Sequence, residues 1–152
     1  MAHVVLLDAG PLGLACGRPG TPLVDRCHAW LLALEAAGTE VILPAIADYE
    51  VRRELYRLNA SAKIRNLDLL RVRLDYLEIT AGALDQAAAF WALVRRGGRP
   101  TAGPDDLDAD AVLAGMAATA GQPGDTLTIA TTNLRHLGTF PGVSAQLWHQ
   151  IR

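Results

Sequence analysis

Carboxylate side chains occur in this sequence at three places where an apolar stretch gives way to a turn or a helix. Asp8 ends the apolar run at residues 4–7, and Glu50 lies in the second turn of the segment that follows the run at residues 40–43. The third place is an acidic cluster of Asp105, Asp106, Asp108 and Asp110. Two like charges about 4 Å apart repel by roughly 4 kcal/mol at an effective dielectric constant near 20. A divalent cation relieves that repulsion, so acids that converge indicate a Mg²⁺ or Mn²⁺ site.

Most of these acids also have a purely structural explanation. Asp8 can cap the turn that follows it, and Glu50 can pair with Arg53 on a solvated helix face. Asp110 is different, because the stretch DAVLAGMA that it opens is almost wholly apolar and gives a carboxylate no obvious structural role. Acids at the start of a helix interact favourably with its dipole, which accounts for Asp105, Asp106 and Asp108.

The elements that must position these acids follow from the apolar periodicity, which alternates between short strand-like runs and longer amphipathic segments. It predicts strands at residues 4–7, 40–43, 76–79, 127–131 and 143–148. It predicts helices at residues 23–37, 45–58, 62–74, 82–96 and 108–120, with a turn at 9–11, a loop at 97–104 and Ser61 as an N-cap. Strands that alternate with helices indicate an α/β fold with a parallel sheet covered on both faces.

In such a sheet, sites lie outside the carboxyl ends of the strands. Asp8 stands at one such end, and Glu50 and the acidic cluster open helices that border the same rim. The last long strand ends on Thr131, Thr132 and Asn133, which adds polar oxygen ligands there. The sequence therefore predicts that these side chains meet at one edge of the sheet, although Asn133 alone is also a common turn residue.

Length and composition limit the class of protein. The 152 residues, 51% of them hydrophobic, suit one domain over residues 1–152 with a sizeable core. The two cysteines, Cys16 and Cys27, have no metal-binding spacing and indicate ordinary thiols in a reducing cytoplasm. No apolar run reaches about 18 residues, and no secretory signal is visible. A net charge of −2 argues against a dedicated duplex-DNA binder but allows an enzyme that holds a few phosphates.

Several enzyme classes lack their motifs here. The sequence contains no GxSxG nucleophile elbow, no GK[ST] phosphate loop and no HExxH zinc motif. A phospho-accepting receiver domain shares the acid at a strand end but needs a lysine after a late strand, and the single lysine is Lys63. A metal-dependent reaction at the predicted acidic rim is what remains.

Four segments in order, VVLLDAGPL, PAIADYEVRREL, LDADAVLAGMA and IATTNLRHL, resemble the four motifs of PIN-domain ribonucleases, a group that includes the VapC-like toxins of toxin–antitoxin pairs. The resemblance covers almost the whole chain. It implies a PIN-like, parallel five-stranded sheet in the order 3-2-1-4-5, sandwiched between helices. It also implies hydrolysis of single-stranded RNA with Mg²⁺ or Mn²⁺, a cognate antitoxin and a homodimer, for which the apolar face of the helix at 82–96 is available.

The resemblance assigns the site residue by residue. Asp8 matches the first family acid, Glu50 the second, Asp110 the third, and Asn133 the fourth, polar position. Asp8 and Asp110 would bind the metal directly and Glu50 through a water, while Asn133 would bond to a ligand water or phosphate. The fourth position is often Asp in the family, so Asn133 brings less negative charge to a second metal.

Two choices stay open at this point. Asp108 is a possible third ligand in place of Asp110, although the AVLAGMA stretch after Asp110 matches the small-residue helix of the family. Arg52, Arg53 and Arg57 are candidate cations for substrate or for structure. The alternative function is a PIN-like module that binds RNA or protein without catalysis.

Overall fold

The computed structural model describes residues 2–97 and 104–152, with the side chains of residues 104–106 outside that description. The strands are β1 (His3–Leu7), β2 (Glu40–Pro44), β3 (Asp75–Leu77), β4 (Thr126–Thr131) and β5 (Ala145–Leu147). The helices are α1 (Ala9–Ala15), α2 (Pro22–Ala36), α3 (Ala45–Arg57), α4 (Ser61–Arg73), α5 (Ala81–Arg96), α6 (Pro104–Thr119) and α7 (Leu134–Leu137), and a 3₁₀ turn, Trp148–Gln150, follows β5. The loop predicted at 97–104 lies largely outside the described residues.

The strands form one parallel, five-stranded sheet in the order β3-β2-β1-β4-β5. β1 is central, with Val5 beside Val41 of β2 on one side and Thr128 of β4 on the other. The predicted α/β class and the strand order implied by the PIN-domain resemblance are therefore both confirmed. Because all strands run in the same direction, their last residues lie along one edge, which is called the carboxyl edge below.

The core consists of two layers, one on each face of the sheet. Successive side chains of β1 point to opposite faces, so Val5 and Leu7 pack with the helices α1 to α4. Val4 and Leu6 pack with α5, α6 and α7 on the other face. A central strand buried on both sides has no polar face, which explains why residues 4–7 are uninterruptedly apolar.

Two short helices were not predicted. Residues 9–15 form α1, so the turn expected at 9–11 was wrong, and α7 was not anticipated at all. Helices of seven and four residues are too short to show a helical period in the sequence. Pro11 is compatible with α1 because it lies in the first turn, where a missing backbone N–H costs nothing.

Two helix starts also differ from expectation. The N-cap of α4 is Ala60, which makes no side-chain capping bond, so Ser61 is the first helical residue and the predicted N-cap was wrong. α6 begins at Pro104, so Asp108 lies inside the helix and not at its start. The acids at 105, 106 and 108 obscured this boundary, because a helix start is expected close to such residues.

The α5–α6 pair is held by an unusually close approach of two main chains. A Cβ atom built on Gly115 of α6 would lie 2.3 Å from the carbonyl oxygen of Ala83 and 2.9 Å from the amide nitrogen of Ala87 in α5. Those are backbone atoms, which cannot move aside as a flexible side chain can. Only glycine allows the two helices to pack at this distance.

The two thiols are structural. Cys16 and Cys27 are buried and form no disulfide. Burial, assisted by the nearby Asp48, raises the pKa of the Cys16 thiol to about 12, and burial raises the pKa of Cys27 to about 11. Neither is therefore a reactive thiolate at neutral pH. In the part of the chain that the structure describes, no helix is long and apolar enough to cross a membrane.

Candidate active site at the carboxyl edge of the sheet

Asp8 lies at the carboxyl edge, directly after the central strand. Its Oδ1 accepts a hydrogen bond of 2.7 Å from the backbone N–H of Ala9 and caps α1, as its structural explanation predicted. Its Oδ2 accepts a second bond of 2.7 Å from the hydroxyl of Thr131, the last residue of β4. The side chain is half-buried, so the carboxylate is fixed in orientation while part of it still faces solvent.

The charge of Asp8 is only weakly compensated. Burial raises the pKa of its carboxyl above the ordinary value, and the hydrogen bonds from Thr131 and Ala9 and the nearby His136 offset part of that rise. Over residues 2–97 and 104–152, no Lys or Arg forms an ion pair with it. A carboxylate that stays ionised here would gain from an added cation.

Thr131 was named in the sequence only as one of three polar residues at the end of a strand, and its contact with Asp8 was not predicted. It is fully buried, and its Oγ1 accepts a 3.1 Å bond from the backbone N–H of Asn133 while its hydroxyl is donated to Asp8. The available signal was a polar residue at the end of a buried strand. β4 lies beside β1 and its Ala130 is paired with Leu7, so the residues that follow them, Thr131 and Asp8, are adjacent as well.

Asn133 is exposed and turns its side chain toward α7. Its Oδ1 accepts a 2.9 Å bond from the backbone N–H of Arg135, which caps that short helix. Asn133 thus reaches Asp8 only through its main chain and Thr131. Asn133 therefore has the turn role that the sequence left open for it. It also lies at the carboxyl edge, one hydrogen bond from Thr131, which bonds to Asp8.

Glu50 and Asp110 lie on two helices that touch. Glu50 lies in the second turn of α3, Asp110 lies in the second turn of α6, and both side chains are half-buried. α3 packs against α1, which begins at Asp8, and also against α6. α3 therefore contacts both the helix that Asp8 caps and the helix that carries Asp110, and the predicted meeting of the three side chains stays a prediction.

Asp108 faces a different direction from Asp110. Two residues on a helix are separated by about 200° around its axis. Asp108 is exposed and lines a shallow cavity between α5 and α6 together with Leu84 and Trp91. An apolar cavity of that kind supplies no further oxygen ligand next to Asp108. The side chains of Asp105 and Asp106, the other members of the acidic cluster, lie outside the described residues.

The three candidate cations of α3 have other partners. Arg52 bonds to Asp48 at 2.9 Å and to Asp68 at 2.8 Å, and Arg57 pairs with Glu54. Arg53 lies over the ring of Tyr49, 5.2 Å from its centroid. Arg52 is therefore a structural cation that links α3 to α4.

His136 is a residue that sequence reasoning missed at this edge. It lies in α7, and its charged form lowers the pKa of Asp8, which shows that the two side chains are near each other. Its Nδ1 is buried, and no hydrogen-bond partner for that atom exists among the described residues. A single histidine among polar residues forms no motif, so nothing in the sequence indicated a role for His136.

The donor chemistry at Asp8 fits a hard divalent cation. The carboxylate of Asp8 and the hydroxyl of Thr131 meet at this point, and the raised pKa of Asp8 marks an incompletely neutralised charge. In the described ranges, no three His, Cys, Asp or Glu side chains form a group able to hold a metal ion. Mg²⁺ does not need such a cage, since it keeps several waters and is usually bound through one or two carboxylates.

Comparison with known proteins gives structural matches only. No family model matches the chain, and no curated protein matches it significantly. The fold is similar to VapBC2 from Rickettsia felis bound to a DNA fragment from the promoter, with a TM-score of 0.72 and 15% identity over 95% of this chain and 98% of the matched chain.

Two further solved structures are similar over almost the same length. They are FitAcB from Neisseria gonorrhoeae and DNA-bound VapBC from Salmonella typhimurium. Each has a TM-score of 0.68 and 22% identity, over 97% of this chain and 99% of the matched chain. At these identities the likeness establishes the fold, and it agrees with the strand order found here.

Proposed function

We propose that this protein is a metal-dependent endoribonuclease that hydrolyses phosphodiester bonds of single-stranded RNA. The observation that carries the proposal is the state of Asp8. Its carboxylate is fixed at the carboxyl edge by two neutral hydrogen-bond donors, is half-buried, and has no Lys or Arg ion-pair partner among the described residues. A buried charge left in this condition costs stability unless a ligand compensates it.

Mg²⁺ or Mn²⁺ is the cofactor that these oxygen ligands suit, and such an ion supplies a nucleophilic water at neutral pH together with charge relief on the phosphoryl oxygens. Asp8 and Asp110 are the direct ligands in this proposal. Glu50 holds a ligand water or orients the attacking one, and Asn133 bonds to a ligand water or a phosphate. Thr131 keeps the carboxylate of Asp8 in one orientation through its 2.7 Å bond.

Asp110 is preferred over Asp108 as the third acid. Asp108 lines the cavity with Leu84 and Trp91, on a side of α6 roughly opposite to that of Asp110. Among the described residues that line this cavity, Asp108 is the only one with a carboxylate. The half-buried Asp110 lies on a helix that packs against α3, where Glu50 is placed.

The protein is further proposed to be the toxin of a cytoplasmic toxin–antitoxin pair. The sequence motifs resemble those of VapC-like toxins, and the fold is similar to chains of VapBC complexes over nearly their full length. The partner is then a cognate antitoxin protein. A homodimer is also proposed, because Leu84 and Trp91, two turns apart on one face of α5, leave 50% and 40% of their surfaces exposed.

The test is cleavage of a labelled single-stranded RNA with Mg²⁺, with Mn²⁺ and with EDTA. Asp8→Asn and Asp110→Asn should each lower the rate by at least about 100-fold, since even residues behind a metal ligand cost 10- to 100-fold. Glu50→Gln should lower it by a similar factor at unchanged fold.

Asp108→Asn is the matched control, because it removes the same charge from the same helix two residues away. It should retain most of the activity. Equal losses in Asp108→Asn and Asp110→Asn would show that the third ligand is misassigned. RNA that binds but is never cleaved with either metal would favour the non-catalytic binding module instead.

A further inference from the structure

Besides the cavity between α5 and α6, another cavity lies beyond the C-terminal end of α1. Its volume is about 540 Å³, and it is lined by the loop after α1 and the first turns of α4. Three of its lining residues are cations, Arg18, Lys63 and Arg65, and none of the lining residues is acidic. Like charges that line one cavity repel one another, so the cavity is complementary to an anion.

These three cations have no acid partner among the described residues, a property that they share with Arg26, Arg53 and four further arginines. Arg52, Arg71, Arg57 and Arg73 each form an ion pair, with Asp48, Glu54 or Glu35. For Arg18, Lys63 and Arg65 no ion pair is found over residues 2–97 and 104–152. The positive potential of the cavity is therefore not cancelled locally, although the whole chain carries a net charge of −2.

The cavity is built by specific contacts. Asn66 of α4 donates a 2.9 Å hydrogen bond to the carbonyl of Cys16, which ties the loop that bears Arg18 to α4. His28 lies 3.1 Å from the carbonyl of Ala15. These contacts occupy carbonyl oxygens at the end of α1, which would otherwise present partial negative charge to an anion.

The start of α4 adds donors to the three cations. Its N-cap, Ala60, supplies no side-chain bond, and the backbone N–H groups of Ala62 and Lys63 have no acceptor within the described residues. Such N–H groups at a helix start suit a phosphate. Arginine's planar fork matches phosphate oxygens as well, so the cations and the helix end favour the same ligand.

α1 links the carboxyl edge to the cavity, because Asp8 caps its first residue and Asn66, which lines the cavity, bonds to Cys16 at its other end. α1 begins beside Asp8 and has seven residues, so it separates the two places by about 10 Å at 1.5 Å per residue. A single-stranded nucleic acid with one phosphate at the carboxyl edge could follow α1 to the cavity. Backbone phosphates contribute most of the affinity of such a strand, independently of its sequence.

We propose that the cavity of Arg18, Lys63 and Arg65 is an accessory phosphate site for the RNA strand, occupied by a phosphate a few nucleotides from the one at Asp8. The inference rests on the proposed function for its ligand, an RNA. It assigns to these three residues a binding role without a role in the chemical step.

The experiment measures binding of a fluorescein-labelled oligouridylate of about 12 nucleotides by anisotropy in EDTA, where no cleavage occurs. Lys63→Gln combined with Arg65→Gln should weaken binding at least about fivefold and lower the slope of log K against log salt by about 0.7 for the one lost phosphate. Arg18→Gln, on the separate loop, should change binding in the same direction. Lys63→Arg combined with Arg65→Lys keeps both charges and should restore most of the affinity.

The matched control is Arg26→Gln combined with Arg152→Gln, which removes two exposed charges from another cavity, next to Trp148. Equal weakening by the control pair would show an effect of net charge alone and would overturn the site. Unchanged RNA binding in the Lys63 and Arg65 variant would also overturn the phosphate site, even if the cavity bound another anionic ligand such as an acidic protein. Because binding is measured without metal, a localised loss of binding would stand even if the wild-type protein cleaved no RNA.

Discussion

Asp8 and Asp48 are two acids near the ends of neighbouring strands, and the chain treats them in opposite ways. Asp48 is only 3% exposed, and its carboxylate is held by Arg52 at 2.9 Å and by Arg71 at 3.4 Å. Asp8 is half-buried and receives only neutral donors, from Ala9 and Thr131. The charge of Asp48 is balanced inside the protein, while that of Asp8 is left for something outside it.

The difference distinguishes a structural acid from a candidate catalytic one. Asp48 and its arginines connect α3 to α4, since Arg52 also bonds to Asp68. A charge that is already neutralised has little to gain from a metal ion. The comparison therefore predicts that substitution of the two acids changes the free energy of unfolding differently and that metal stabilises the protein through Asp8 alone.

The largest effect on stability is expected from Asp48→Asn. It leaves Arg52, whose side chain is 17% exposed, without its closest partner, and should lower the free energy of unfolding by about 3 kcal/mol. Asp8→Asn should cause no loss in EDTA, because it removes an uncompensated charge. Urea unfolding of both variants measures the contrast.

Asp68→Asn provides the control for that experiment. Asp68 bonds to the same arginine, but its side chain is 58% exposed, so its loss should cost no more than about 1 kcal/mol. Similar losses for Asp8→Asn and Asp48→Asn would erase the distinction between the two acids.

Metal should act on one acid and leave the other unaffected. Mn²⁺ at 100 times its Kd should raise the free energy of unfolding by about 2.7 kcal/mol in the wild type. Asp8→Asn should abolish most of this gain, whereas Asp48→Asn should keep it on a lower baseline. Thermal melts with and without Mn²⁺ give both numbers, and an unchanged wild-type melt would count against the metal site.

Thr131→Val tests the neutral hydrogen bond that distinguishes Asp8. The substitution keeps the shape of the side chain and removes the donor to Oδ2, at a cost of about 1–2 kcal/mol in the free energy of unfolding. The pKa of Asp8 should rise further, because the Thr131 hydroxyl now lowers it. Thr131→Ser retains the hydroxyl and should stay near the wild type in both respects; equal effects of the two substitutions would indicate packing and not the hydrogen bond.

The smallest effect expected is a pH dependence in EDTA. The folded-state pKa of Asp8 is raised above its ordinary value of 3.8, so the folded protein binds that proton more tightly than the unfolded chain. Wild-type stability relative to Asp8→Asn should therefore fall as pH rises from about 4 through the raised pKa, and should be constant above it. Urea midpoints of the two proteins across the acid range give this difference, and a difference that does not change with pH would mean that burial leaves Asp8 unperturbed.

Much of the fold could be predicted because the central strands are buried on both sides. Residues 4–7 and 127–131 are almost continuously apolar, which marks strands of a covered parallel sheet, and the four motifs imply their order. The short helices α1 and α7 could not be found in this way. Each of these helices begins after a capping residue, Asp8 or Asn133. Asp and Asn are equally typical of turns, so the sequence does not distinguish a capped short helix from a turn.

The sequence predicted that Asp8 lies at the edge of the sheet, because an apolar strand ends on it, and could not predict its contacts. The site roles of Glu50, Asp110 and Asn133 stay predictions from the motif resemblance. No local pattern distinguishes the buried Asp48 from the exposed acids around it, because its partner Arg71 is contributed by another helix. The bond between Thr131 and Asp8 was unpredictable for a similar reason, since it joins residues 123 positions apart.

The close approach at Gly115 has a consequence for how accurately Asp110 is held. An added methyl group would meet the main chain of α5 at 2.3 Å and would have to push α6 away. Asp110 lies five residues earlier on the same rigid helix, about 7 Å along its axis, and would be carried along. A displacement of 1 Å at a reacting group can cost about 100-fold in rate. The position of Asp110 is thus set in part by the missing side chain of Gly115, where α6 meets the main chain of α5.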